Sequence, residues 1–186
     1  MLCGVPTKLL RNVNYTNSVQ KPTIGRYIIE SLINKNVNIA FCYKNNIKSP
    51  IFNVAKNHSH FNIVFDKYKK NSGYQALTYS KLNNNLGVII NTSSYDLAHI
   101  YDPIKIAKTV MSTMLIISCF NTKHELSDSE FPEIMKCIIK KTTTIETVNK
   151  NIVMNIENLL QYSYAEPAGP VHLNIANSIL NKPIEI

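Results

Sequence analysis

The sequence predicts an α/β fold: a single three-layer domain with a mostly parallel sheet of about six strands and helices on both faces. Three observations predict it. Short apolar runs alternate with helical stripes some six times, the pattern of repeated strand–helix units. Some of those runs are apolar without a break, as strands buried on both faces are. The chain has 186 residues, which is one ordinary domain and enough to bury a core.

The elements follow in order. Residues 1–22 are polar without a clear period and read as an extended N-terminal arm, before a domain over 23–180 and a C-terminal tail at 181–186. Thr23 can cap a helix over about 23–35, because Gly25, Ile28, Ile29, Leu32 and Ile33 fall at helical spacing. Val37 to Tyr43 is a short apolar strand, and Asn45 and Asn46 turn the chain. A short helix is expected from Pro50 to Lys56, then a strand from His60 to Phe65. Asn71 to Lys81 reads as a third helix, with Asn83, Asn84 and Asn85 as its turn. Leu86 to Asn91 is an unbroken apolar strand.

Pro103 can open the next helix in its first turn, with Ile104, Ala107, Val110 and Met111 along one side. Met114 to Ser118 is the fourth strand, and 121–130 is a polar loop. Ile134, Met135, Ile138 and Ile139 form another helical stripe. Thr142 to Val148 is a β-branched strand. Ile152, Ile156, Leu159 and Leu160 mark a helix running to about Tyr164. Glu166 to Pro170 ends it, and Val171 to Ile175 is the last strand.

Composition narrows the function. Hydrophobic residues make up 45% and charged residues 17%, the balance of a folded globular chain. No apolar run approaches the roughly 20 residues of a membrane span. The net charge is +8, and residues 1–100 hold 12 of the 20 basic but 3 of the 12 acidic side chains. That permits a basic-surface binder without requiring one. Lys67, Lys69 and Lys70 cluster around Tyr68, a set that can hold an anion or nucleic-acid backbone. No nucleic-acid motif accompanies them, so a solvated loop is the preferred reading and nucleic acid is not the expected partner.

Cys3, Cys42, Cys119 and Cys137 are far apart and make no C-x-x-C pair, which argues against a redox dithiol or zinc ribbon. With no signal-peptide pattern at the start, the expected setting is reducing and cytoplasmic. His58 and His60 lack a third ligand at metal-site spacing, and no metal site is predicted. His99 and His124 show no partner. His172 reads as a core or interface histidine. Ser93-Ser94 lacks the G-x-S-x-G frame of a nucleophile elbow.

Three stretches carry a resemblance. One is Thr23-Ile24-Gly25-Arg26-Tyr27-Ile28-Ile29-Glu30-Ser31-Leu32 with the strand ending at Tyr43. The next is Asn71-Ser72-Gly73-Tyr74-Gln75-Ala76-Leu77-Thr78-Tyr79-Ser80-Lys81, similar to an N-A-G-Y-A-A-D-G-Y-A-R helix. The last is Gly169-Pro170-Val171-His172-Leu173-Asn174-Ile175, similar to a G-P-V-H-L-N-I-P closing strand. In this order and spacing, over about Thr23 to Ile179, the chain resembles the N-terminal, pyrimidine-binding domain of thiamine-diphosphate-dependent enzymes of the acetolactate synthase and pyruvate decarboxylase type.

The resemblance implies a cofactor, and three departures bear on it. The family places a glutamate two residues before the helix asparagine. It hydrogen-bonds the cofactor's aminopyrimidine ring and promotes loss of the thiazolium C2 proton. Here that position is Lys69. The synthases follow the third strand with a G-P-G turn, where this chain has Ser94-Tyr95-Asp96. The magnesium and diphosphate motif of the family's other domain begins Gly-Asp-Gly, which these 186 residues do not contain.

The expectation is therefore no catalytic residue in this chain, a vestigial cofactor surface at Lys69, Ser94, Tyr95 and Asp96, and lost or weak thiamine diphosphate binding. The leading expectation is a standalone, non-catalytic binding or interaction module, as a homodimer. One rival is the pyrimidine-binding subunit of a split acetolactate synthase or 2-oxo acid decarboxylase, completed by a separate diphosphate-binding subunit. The other is a basic binder of anions or nucleic acid through residues 67–70.

Overall fold

A computed structural model describes residues 21–44, 49–91, 96–121 and 135–184. Helix α1 (Ile24–Asn34) starts where Thr23 Oγ1 accepts the Arg26 amide at 3.3 Å. It buries Ile24, Ile28, Ile29 and Leu32. Strand β1 (Ile39–Tyr43) leads to α2 (Pro50–Lys56), with Pro50 in the first turn, where its missing N–H costs no hydrogen bond. Strand β2 (Asn62–Asp66) leads to α3 (Lys69–Asn83), which ends at Asn84 in the left-handed region. Strand β3 (Gly87–Asn91) is followed by α4 (Asp96–His99), α5 (Tyr101–Thr109) and β4 (Met114–Phe120). Then come β5 (Lys141–Ile145), α6 (Ile152–Tyr164), β6 (Pro170–Ala176) and α7 (Asn177–Leu180).

The six strands form one sheet in the order β2-β1-β3-β4-β6-β5, with every pairing parallel. One core lies between its first face and α1, α2, α6 and α7, around Val88, Ile90, Leu115, Ile117, Val171 and Leu173. A second core lies under α3, α4 and α5, around Ile89, Ile104, Met114 and Ile116. Every residue of β3, β4 and β6 is buried, as the unbroken apolar runs predict. Fully burying one such aliphatic side chain is worth about 1.5–3 kcal/mol.

Two glycines set the spacing of the second layer. A Cβ on Gly73 of α3 would lie 2.4 Å from Pro103 Cγ of α5, and one on Gly87 of β3 would lie 2.1 Å from the Ala76 carbonyl oxygen. These two positions let α3 seat closely on both neighbours.

Several boundaries differ from the sequence expectation. Helix α3 runs two residues further at each end, to Lys69 and Asn83. The short helix α4 is too brief to show a period. Helix α5 ends at Thr109, so Val110 and Met111 do not line its buried side. They are 39% and 56% exposed, and Met111 has φ 50°. Met135, Ile138 and Ile139 are buried beside α5, joined by one turn in which Ile138 and Ile139 donate to the Met135 carbonyl. The polar loop expected at 121–130 lies outside the described residues beyond Asn121, as does the arm over residues 1–20. At the other end, Ile184 is buried and donates to the Pro22 carbonyl at 3.0 Å, and Thr23 bridges Pro183. Packing thus continues through residue 184 of the stretch read as a tail. No helix among the described residues is long and apolar enough to cross a membrane.

Candidate functional site

The start of α3 is where the described residues gather cations, amides and a cleft. Strand β2 delivers Asp66 to the carboxyl edge of the sheet, one short turn before the helix. Asp66 Oδ1 accepts the Tyr68 amide at 2.8 Å and Asn71 Nδ2 at 3.1 Å, and its Oδ2 accepts Gln75 Nε2 at 3.0 Å. Tyr68, the residue before the helix, supplies no side-chain cap. Asp66 supplies one instead, and its charge suits the positive end of the helix dipole.

Asn71, Tyr74, Gln75 and Thr78 fall one turn apart on α3 and share one side of it. With Phe41 of β1 they line a cleft of about 410 Å³. Gln75 Oε1 is buried and has no hydrogen-bond partner. The amide that Asp66 orients therefore carries an unused acceptor that solvent does not reach.

The three lysines of the cluster take different directions. Lys69 Nζ lies 5.3 Å from the centre of the Tyr43 ring, a cation–π distance. Lys70 Nζ donates to Asp102 Oδ2 at 2.6 Å and lies 5.9 Å from the Tyr74 ring. The hydrogen bond to Asp102, then its charge, raise the Lys70 pKa above the ordinary lysine value. Lys67 is exposed. Lys69 and Lys70 thus each engage an aromatic ring or carboxylate rather than forming a shared cationic cradle.

Of the other predicted site residues, Ser94 and Tyr95 lie outside the described residues, and Asp96 is described by its backbone as the first residue of α4. His58 and His60 stack edge-on at 6.1 Å, and no group of three metal-binding side chains occurs among the described residues. His172 is buried on β6, 2.9 Å from Ser118 Oγ through Nε2. Cys42 and Cys119 are buried, and burial pushes the Cys119 thiol up to about 12, a poor setting for a nucleophile.

Sequence reasoning missed Asp66 and Gln75. Asp66 follows an apolar strand, and Gln75 sits inside a helix. The signal that could have found them is their spacing from Asn71, five residues after Asp66 and four before Gln75.

Comparison with known proteins bears on the family and the fold. Residues 22–140 match the family model described as "Thiamine pyrophosphate enzyme, N-terminal TPP binding domain". The chain is 21% identical over 182 residues to the mitochondrial acetolactate synthase of Schizosaccharomyces pombe, covering 94% of this chain and 27% of that protein. Its fold is similar to that of a thiamine diphosphate-dependent 4-hydroxybenzoylformate decarboxylase from Rhodococcus jostii. The TM-score is 0.76 at 13% identity, covering 89% of this chain and 32% of the other. The chain therefore spans roughly a quarter to a third of these relatives' length.

Proposed function

We propose, from the premise that this chain belongs to the thiamine pyrophosphate enzyme family by its N-terminal TPP binding domain, that it works as a non-catalytic binding or interaction module. One observation carries the reading. At the position where the resemblance puts the family glutamate, Lys69 opens α3 with its ammonium toward the Tyr43 ring. An ammonium has three donors and no acceptor, so it does not do the work of a carboxyl group at the pyrimidine ring. The carboxylate just upstream is engaged with the start of α3 instead. Both oxygens of Asp66 already accept hydrogen bonds from Tyr68, Asn71 and Gln75. The described residues do not fit the activating half of a thiamine diphosphate site.

A binding role fits what surrounds Lys69. Tyr68 is 69% exposed, Val64 and Tyr74 are 36% exposed, and Tyr74 lines the α3 cleft with Phe41. We extend the proposal to a homodimer, the commonest closed assembly.

The experiment is calorimetric titration with thiamine diphosphate plus magnesium, and separately with thiamine, alongside light scattering. The expected result is no heat for the diphosphate and a mass of two chains. A thiazolium C2 proton that exchanges with deuterium faster in the presence of this chain would overturn the reading. A second reading, a subunit completed by a separate diphosphate-binding chain, is favoured by the match to one part of a longer synthase. It requires pyruvate turnover by the reconstituted pair, or its appearance on Lys69→Glu.

A further inference from the structure

Strand β2 is an outer strand of the sheet, bonded on one side to β1. Asn62 donates its amide to the Asn38 carbonyl, and the Asp66 carbonyl accepts the Lys44 amide. Both ends of β2 thus turn their main-chain groups toward β1 and the residues flanking it. Successive residues of a strand turn theirs to opposite sides, so Val64 also serves β1, while Ile63 and Phe65 direct their N–H and C=O groups outward. No other strand among the described residues pairs with that side. An outer strand of this kind is a template for another chain.

The two faces of β2 differ. Ile63 and Phe65 pack on the first core. Val64 is aligned with Phe41, and aligned partners in parallel strands project to the same face. Phe41 belongs to the second core and lines the cleft of about 410 Å³ with Asn71, Tyr74, Gln75 and Thr78. Val64 continues that face outward from Phe41 and stays partly open to solvent. A strand added beside β2 would lie about 4.8 Å beyond Val64. An aromatic side chain on its Val64 face meets Val64 at cross-strand distance and extends toward the cleft.

Charge selects the rest of the partner. From Lys56 to Lys70, the stretch that holds β2 and both its flanks, the chain has four lysines and one acidic residue, Asp66. Asp66 is engaged by Tyr68, Asn71 and Gln75. Lys56 before the strand and Lys67 after it are exposed, and so is Lys44, whose amide bonds Asp66. Cations therefore stand at both ends of the open edge. A second copy pairing here by two-fold symmetry would set lysines against lysines, which like charges oppose. An acidic chain meets no such cost.

We propose that the open edge of β2 receives an extended acidic peptide segment as an added strand, with an aromatic side chain on the Val64 face directed toward the α3 cleft. The segment's main chain bonds Ile63 and Phe65, and its carboxylates meet Lys44, Lys56 and Lys67, a strand-addition mode of recognition. This gives the interaction module its partner class and rests on that reading.

The probe is acetyl-Glu-Asp-Val-Thr-Phe-Thr-Val-Asp-Glu-amide, titrated into the full chain labelled with nitrogen-15. Saturable shifts are expected along β2, with amide exchange slowed at Ile63 and Phe65 and unchanged at Val64, whose amide already serves β1. Alanine for phenylalanine in the peptide, or Val64→Ser, Lys44→Glu or Lys67→Glu in the protein, each weakens binding about twofold to fivefold, the worth of one exposed cross-strand or charge pair. The same peptide with lysine for its acids does not bind. The proposal is overturned by the absence of a saturable shift, by equal binding of the lysine peptide or of polyglutamate, or by unchanged exchange at Ile63 and Phe65. Slowed exchange at those two amides without peptide, growing with protein concentration, makes the occupant a second copy and overturns it too. If a variant fails to fold, the comparison of peptides on the unaltered chain decides alone. Faster deuterium exchange at the thiazolium C2 overturns the module reading itself, whereas absent peptide binding overturns only its partner.

Discussion

Lys69 Nζ stands 5.3 Å from the centre of the Tyr43 ring, so the residue that opens α3 is held by the residue that closes β1. This contact offsets an unfavourable position. The first turn of α3 has no acidic residue and begins with two lysines, whose charge opposes the helix dipole. The ring face returns part of that cost.

A double-mutant cycle on Tyr43→Leu and Lys69→Met measures the contact. The expected coupling is about 0.5–1 kcal/mol, the range of a partly exposed cation–π pair. Midpoints of urea unfolding for the four proteins give it. Coupling near zero would mean that Lys69 is merely close to the ring, and the account of how position 69 is held would fall.

Asp66 is expected to matter more. It accepts three hydrogen bonds from the first turns of α3, and Tyr68 supplies no side-chain cap. Asp66→Ala should cost about 1–2 kcal/mol, the range for a lost N-cap. Asp66→Asn keeps one acceptor oxygen for the Tyr68 amide and should recover part of that loss. If Asp66→Ala leaves the urea midpoint unchanged, the carboxylate is not what starts the helix.

Gly73→Ala probes the seating of α3 on α5. Alanine favours a helix over glycine by about 1 kcal/mol, which alone predicts stabilisation. The new Cβ would lie 2.4 Å from Pro103 Cγ and 3.2 Å from Ile100 Cγ2. Both neighbours are buried, and the proline ring cannot turn aside. Overpacking of this kind costs about 1–3 kcal/mol, so a net loss of melting temperature is expected. A rise in melting temperature would show that the two helices can part without penalty.

Much of this fold was legible because its signals are local. Thr23 and the Ile28, Ile29, Leu32 stripe place α1, and the apolar run around Val88 to Ile90 places β3. The start of α3 was less so, because its cap comes from Asp66 rather than from Tyr68 or Lys69. Lys69 stood out as part of the Lys67, Lys69, Lys70 cluster, but its match to the family glutamate came only through resemblance. A row of buried polar residues at the carboxyl edge, Asn91, Ser118 and Asn174, was not legible at all. Each residue lies in a strand that reads as apolar core, and only the register and the order β3-β4-β6 bring them together.

His172 makes the buried side of that row sensitive to acid. Burial lowers its pKa from 6.5 to about 4. The unfolded chain therefore binds a proton between those values that the folded chain does not. Its stabilising effect is fully present above pH 6.5 and is lost as pH falls toward 4, by an amount on the order of 3 kcal/mol. Carboxylates also titrate near the lower end of that window, so the comparison is with a variant. His172→Gln keeps a side-chain amide within reach of Ser118 Oγ, now 2.9 Å from the histidine Nε2, and does not titrate there. Urea unfolding from pH 7 to 4 should show the unaltered protein losing stability faster than His172→Gln. Parallel curves would mean that His172 protonates without penalty. The carboxyl edge between β4 and β6 would then be wetter than its 8% exposure implies.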